Sequence, residues 1–324
     1  MTSGYHQRPT LTRLADMCYS AMIWADYRKY VRRFGATLSL KEFAELYLAD
    51  EAKQRKRGRT PKAMDMAFAQ PATADEQALN DAIVQRNKLD ARELEQELFK
   101  QSRRNADATR TLQLKATKKA QDDLRISASK IEQLKARLSD LKRNEPAAKD
   151  SRIYPGSIAP VMLLDQGQRV IKPMRYQCRI AGVPAAFDRK YPGTYNARRD
   201  SLGRYWRNQF AHTHAVIVAT AFFEHVVQDG ENVVLEFRPG DSSEMIVACL
   251  WSHWTGADGE QMDSLAAITD EPPAEVAAAG HDRCIIPIKP EHLDAWLDPQ
   301  GDVETMQAIL DDRARPYYEH RMAA

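Results

Sequence analysis

Leu124, Ile131 and Leu138 recur every seven residues, and Leu134 and Leu141 fill the alternate positions. That is the a/d spacing of a helix lying along a second helix. The surrounding stretch, residues 51 to 150, is compositionally distinct: 23 lysines and arginines face 16 acidic residues, a surplus of +7, and its only aromatic residues are Phe68 and Phe99. A coiled-coil hairpin is expected, with one helix over about Asp75 to Arg104 and an antiparallel one over about Ala108 to Arg143. A single long solvated helix is the alternative that its polar faces leave open. The chain of 324 residues carries a net charge of only +2, so the rest carries −5 and no global field points to a polyanionic partner. Such a partner must be read locally. KQRKRGR at 53 to 59 is the densest basic run, suited either to phosphates or to a solvated linker.

Outside this stretch the pattern is different. In SLKEFAELY, Leu40, Phe43, Ala44 and Tyr47 share one helical face, with Ser39 as N-cap and Glu42 as its capping-box partner. After Pro155 come short β-rich runs separated by Gly, Pro and Asp: 160 to 164, 215 to 223, 233 to 237, 245 to 251 and 265 to 269. Helical patterns return at 273 to 279, 291 to 297 and 303 to 313. Segregated strands and helices predict an α+β fold with a mixed, mostly antiparallel sheet or barrel. The expected organisation is a discontinuous domain of residues 17–50 and 155–324 interrupted by a basic helical insertion at 51–150, with residues 1–16 as a leader. Cys18, Cys178, Cys249 and Cys284 form no CxxC pair, which argues against structural zinc and a disulfide framework and suits a reducing cytosol. The phosphate-binding glycine motifs are absent, no run reaches the ~20 apolar residues of a membrane helix, and neither cofactor nor metal is implied.

Four segments put reactive or polar side chains beside strand ends or turns: Met17-Cys18, Tyr195-Asn196-Ala197-Arg198, Phe222-Phe223-Glu224-His225 and His281-Asp282-Arg283. Each has a plain structural reading. Cys18 could be a small buried hydrophobe, Asn196 a turn or cap, Glu224 a solvated strand end and His281 a satisfied loop histidine.

Their order resembles that of the SOS response-associated peptidase (SRAP) family, which shields abasic sites in single-stranded DNA through an N-terminal cysteine. Five features match: Met17-Cys18, Asn196-Ala197-Arg198, the aromatic pair before Glu224, Leu250-Trp251 and His281-Asp282-Arg283. The tail Ala295-Trp296-Leu297-Asp298-Pro299 is similar too. The likeness covers residues 17 to 49 and about 155 to 300. It departs from the family at Tyr19-Ser20, where Gly-Arg is usual, and at Arg175-Tyr176 and Glu224-His225, where Tyr176 and His225 stand for tryptophan. Sixteen residues precede Met17 and would block the Cys18 amine, so the functional chain is expected to start at Cys18.

The resemblance implies crosslinking of ring-opened abasic sites through a thiazolidine on Cys18, with Glu224 as acid and base, His281 assisting the imine steps and Asn196 orienting the amine or the sugar. It implies Arg198 and Arg283 as phosphate clamps and Arg175 and Tyr176 as further DNA contacts, Tyr176 by stacking on a base. The partner is then single-stranded DNA with abasic sites, in the cytoplasm and on the nucleoid when bound. The insertion would dock a repair or replication protein. Two other readings stay open: a thiol peptidase built on Cys18, His281 and Asn196, and a non-catalytic interaction protein using the hairpin.

Overall fold

The computed structural model describes residues 20–53, 60–228 and 230–323. Met17, Cys18 and the cluster at 53 to 59, apart from the backbone of Lys53, lie outside the described structure. In chain order come β1 (Ser20–Ile23), α1 (Tyr27–Phe34), β2 (Thr37–Leu38), α2 (Leu40–Lys53), α3 (Lys62–Met66), α4 (Ala74–Leu114) and α5 (Lys118–Lys142). They are followed by β3 (Arg152–Ile153), β4 (Ile158–Asp165), β5 (Gln168–Tyr176), α6 (Phe187–Lys190), β6 (Asn196–Arg198), β7 (His214–Gln228) and β8 (Glu231–Pro239). The last are β9 (Met245–Thr255), β10 (Gln261–Asp270), α7 (Ala274–Ala278), β11 (Cys284–Ile285), β12 (Pro287–Ile288), α8 (Leu293–Leu297), α9 (Val303–Asp311) and β13 (Tyr318–Met322). The chain divides into two compact units, one of Met1–Glu42, Lys56–Ala67 and Ala148–Ala324, the other of Phe43–Arg55 and Phe68–Ala147. No helix among the described residues is long and apolar enough to cross a membrane.

The first unit is the expected α+β fold, and its sheet closes on itself. β4 pairs antiparallel with β5, β5 parallel with β10, β10 antiparallel with β9, β9 antiparallel with β7, and β7 returns to β4 through Met162 and Val216. Closure removes the free edges that an open sheet would expose. β5 was not anticipated, because its polar residues hide the alternation. Gln166 and Gly167, at φ 50° and 76°, make the two-residue left-handed turn that joins it to β4.

β7 organises the rest. Its β-branched and aromatic run is buried on both faces nearly to its end. Residues 214 to 219 close the barrel against β9, and residues 222 to 228 run on against β8. β1 covers the other edge of this extension, Ser20 opposite Phe223 and Ala21 opposite Phe222. Beneath the extension the Phe222 ring stacks on Phe237 at 5.1 Å, and Tyr318 meets it edge-on at 5.1 Å. α1 is capped by the Asp26 side chain, which accepts from the Arg28 N–H at 3.0 Å, and ends at Gly35 in the left-handed region. It plugs Tyr30 into the barrel wall, where the buried hydroxyl accepts the Val218 N–H at 3.0 Å.

The second unit contains the hairpin of α4 and α5. α4 runs ten residues beyond the expected Arg104, because RRNADATRTLQL has no Gly or Pro to stop it. The turn falls instead at 115 to 117, where Thr117 caps α5 by accepting from the Ala120 N–H at 3.2 Å. The heptad seam is real but mixed in character. Ala120, Ser127 and Leu134 are its buried positions on α5, and the Asn105 amide of α4 donates to the Ser127 hydroxyl at 2.9 Å. A polar pair in such a seam fixes register.

Candidate functional site

Glu224 is carried on the extension of β7, opposite Leu235 of β8 and one residue beyond the Phe223 and Ser20 pair. It is completely buried, which corrects the reading of a solvated strand end. His281 reaches it from the turn after α7, where Gly280 takes φ 97° and the His281 N–H returns to the Val276 carbonyl at 3.3 Å. β11 fixes the following residues by pairing Cys284 with Asp270 of β10.

His281 Nε2 lies 2.9 Å from Glu224 Oε2, with the two side chains 2% and 0% exposed. On its other side, His281 Nδ1 stands 2.9 Å from the Arg283 carbonyl. An oxygen beside each nitrogen favours the doubly protonated ring, while the Arg283 N–H also approaches Nδ1, at 3.3 Å. Burial alone would lower its pKa, but the Glu224 hydrogen bond and charge, then the Arg283 carbonyl and Asp282, outweigh burial and raise it. The pair is shielded from water, an environment that suits holding a proton. Cys284 adjoins it, and burial first, then the Glu224 charge, pushes its thiol pKa far up. Burial also pushes the Cys178 and Cys249 thiols to about 12. The three described cysteines are therefore neutral, inert thiols.

Asn196 and Arg198 sit on β6, which lies parallel along β10 with Asn196 opposite Ala267 and Arg198 opposite Thr269. Asn196 is 5% exposed. Arg198 is on the surface, 3.1 Å from Asp200, whereas Arg283 is largely buried with its guanidinium 3.6 Å from Asp282. β10 thus anchors both β6 and the strand that follows His281.

Arg175 and Tyr176 are both engaged within the protein. Arg175 Nη1 donates to Asp188 at 2.6 Å, and the same carboxylate takes Arg179 at 2.5 Å. Burial would raise the Asp188 pKa, but the hydrogen bonds and charges of Arg179 and Arg175 win and hold it down. Arg179 also covers the Trp254 ring at 4.2 Å. This cluster staples the loop leading from β5 to β6. Tyr176 is 3% exposed and meets Tyr195 edge-on at 5.7 Å, so its ring has no open face on which a base could stack. Tyr176 fills the barrel end because β5 turns its side chain inward there.

Sequence reasoning did not single out Arg152. Its Nε donates to the Ser20 hydroxyl at 3.0 Å and its guanidinium lies 3.5 Å over the Phe223 ring. β3 brings it there, and no local pattern announces that pairing.

The profile of the SOS response associated peptidase family matches residues 116–323, well over half of the chain. The chain belongs to the SRAP family. The SRAP match starts beside the N-terminus of α5 and includes Asn196, Glu224 and His281, while Cys18 precedes it. No curated protein matches significantly. Among solved structures, the chain is similar to a protein from Bordetella bronchiseptica at 20% identity and TM-score 0.44, over 54% of this chain and 87% of that one. A phage-related protein of the same organism aligns at 16% identity and TM-score 0.43, over 56% and 85%. A protein from Bacteroides thetaiotaomicron aligns at 13% identity and TM-score 0.45, over 54% and 78%.

Proposed function

We propose that this SRAP protein acts in DNA damage repair by capturing ring-opened abasic sites in single-stranded DNA on Cys18. The observation that carries the reading is the buried pair of Glu224 and His281 beside the start of β1, whose first residue, Ser20, follows Cys18 by two positions. A proton-holding pair next to the strand that leads from a cysteine suits chemistry in which protons must be moved at that cysteine.

The chemistry needs the cysteine to carry a free α-amine. The amine adds to the aldehyde and loses one water to give an iminium, and the thiolate then adds to the iminium carbon, leaving a neutral ring nitrogen. Ring closure is intramolecular and gains from proximity. Glu224 accepts and returns the protons at the amine and sugar oxygen, and His281 beside it supplies the proton that lets water leave. Asn196 orients the amine or sugar. Arg198 and Arg283 hold flanking phosphates, while Arg175 and Tyr176 support the scaffold beneath.

The test is a denaturing gel with single-stranded DNA bearing one abasic site, paired with the intact mass of active protein. A shifted band is expected, absent in Cys18→Ala and absent with undamaged DNA, on protein whose chain begins at Cys18. A band that survives Cys18→Ala, or full crosslinking by protein with a blocked Cys18 amine, would overturn the reading.

A further inference from the structure

The hairpin is electrically polarised along its length. Its distal half, residues 100 to 131, holds nine basic and three acidic residues, a net of +6, whereas the helical remainder, residues 74 to 99 and 132 to 142, holds six basic and nine acidic, a net of −3. The three distal acids are engaged locally: Asp123 by Arg104, Asp107 by Arg110 and Asp122 by Arg125. Arg103, Lys115, Lys118 and Lys119 are exposed, and none has a carboxylate within ion-pair distance among the described residues. Arg103 and Lys119 open onto a groove of about 500 Å³ between the helices, which Lys100, Arg104 and the paired Asp107 and Asp123 also line.

The first turn of α5 has no acidic residue and begins with Lys118 and Lys119, placing two cations against the positive end of the helix. That arrangement costs helix stability, and an anion bound there relieves it.

We propose that the distal half of the hairpin binds the phosphodiester backbone of a nucleic acid, independently of its sequence. Arg103 and Lys115 lie about 18 Å apart along α4 and its C-cap, and Lys118 and Lys119 continue across the turn onto α5, which suits a linear array of charges rather than one small anion. A lipid surface is disfavoured, because membrane-bound helices need an apolar stripe beside the cations. Among the described large apolar side chains of this half, Leu114 alone is exposed.

This inference does not depend on the Cys18 chemistry, and its test uses undamaged DNA. In the full chain, Arg103, Lys115, Lys118 and Lys119 are all replaced by Gln. A control variant replaces Lys88, Arg92, Lys135 and Arg137 of the proximal half by Gln, removing the same charge. Binding to an undamaged poly-dT oligonucleotide is followed from about 50 to 200 mM salt. The distal variant is expected to flatten the slope of log K against log salt by about 3, the value for four phosphate contacts on a single strand, and the control to leave it nearly unchanged. An unchanged slope in the distal variant, or equal flattening by the control, overturns the proposal. So does loss of binding to phosphatidylserine vesicles with the oligonucleotide slope retained. Circular dichroism at matched salt verifies that both variants keep the hairpin.

Discussion

Replacing Glu224 by Gln keeps the size and hydrogen-bonding reach of the side chain and removes its charge, so the part of its effect that runs through His281 depends on the protonation of that imidazole. In the native protein Glu224 holds the His281 pKa above its ordinary value against the burial that would lower it. That raised pKa contributes stability fully present below the unfolded value of about 6.5, and lost as pH rises through the folded value. In Glu224→Gln burial is left to dominate, and a buried imidazolium faces an amide. The cost of breaking a buried pair is about 3 to 5 kcal/mol where the histidine is charged. For a unit of this size 1 kcal/mol corresponds to about 2 to 4 °C, so 3 kcal/mol lowers Tm by about 6 to 12 °C near pH 5.5. Near pH 9 a neutral imidazole can still bond the Gln amide, and the deficit shrinks to the worth of one neutral hydrogen bond, about 1 kcal/mol. Thermal melts followed by circular dichroism from pH 5 to 9 read this directly. A deficit that is constant with pH, or that widens toward pH 9, would refute the assignment of an imidazolium and carboxylate pair.

Asp188→Asn strips the shared partner from Arg175 and Arg179 and is expected to cost about 3 kcal/mol at neutral pH. Because the folded Asp188 pKa is depressed, its contribution is present above the unfolded pKa and fades as pH falls through the folded one, so urea midpoints of wild type and variant should converge in acid. Trp296→Ala should destabilise by about 3 to 5 kcal/mol in urea titration, since the ring is wholly buried and its Nε1 donates to the Ala215 carbonyl at 3.1 Å. Arg198→Ala should weaken single-strand binding and reduce the salt slope by about 0.7 without changing Tm, whereas Tyr176→Leu, which removes the stacking ring, should leave that binding unchanged. A loss of affinity in Tyr176→Leu with the fold retained by circular dichroism, measured by fluorescence anisotropy, would return Tyr176 to the DNA surface.

The elements legible from the chain are those whose signal is local. The heptad of Leu124, Ile131 and Leu138 marked α5, and the apolar runs at 215 to 223 and 245 to 251 marked β7 and β9. β5 and the four-residue β1 escaped notice because polar residues or brevity blur their alternation. The far end of α4 was misread because no residue type there signals a stop, and the turn chemistry sits thirteen residues beyond Arg104, at Thr117.

The site divides along the same line. The sequence by itself determined the strongly patterned elements, such as α5, β7 and β9, and the short motifs that tie the chain to a family. Only the tertiary structure decided that Glu224 is buried against His281, 57 positions away, that Arg175 is spent on Asp188, and that Arg152 lies over Phe223. Periodicity reports how one segment faces a core and is written within a few turns of chain. Which side chains then meet depends on register between strands distant in sequence, and in a closed barrel each register constrains the others, so no single segment carries that information.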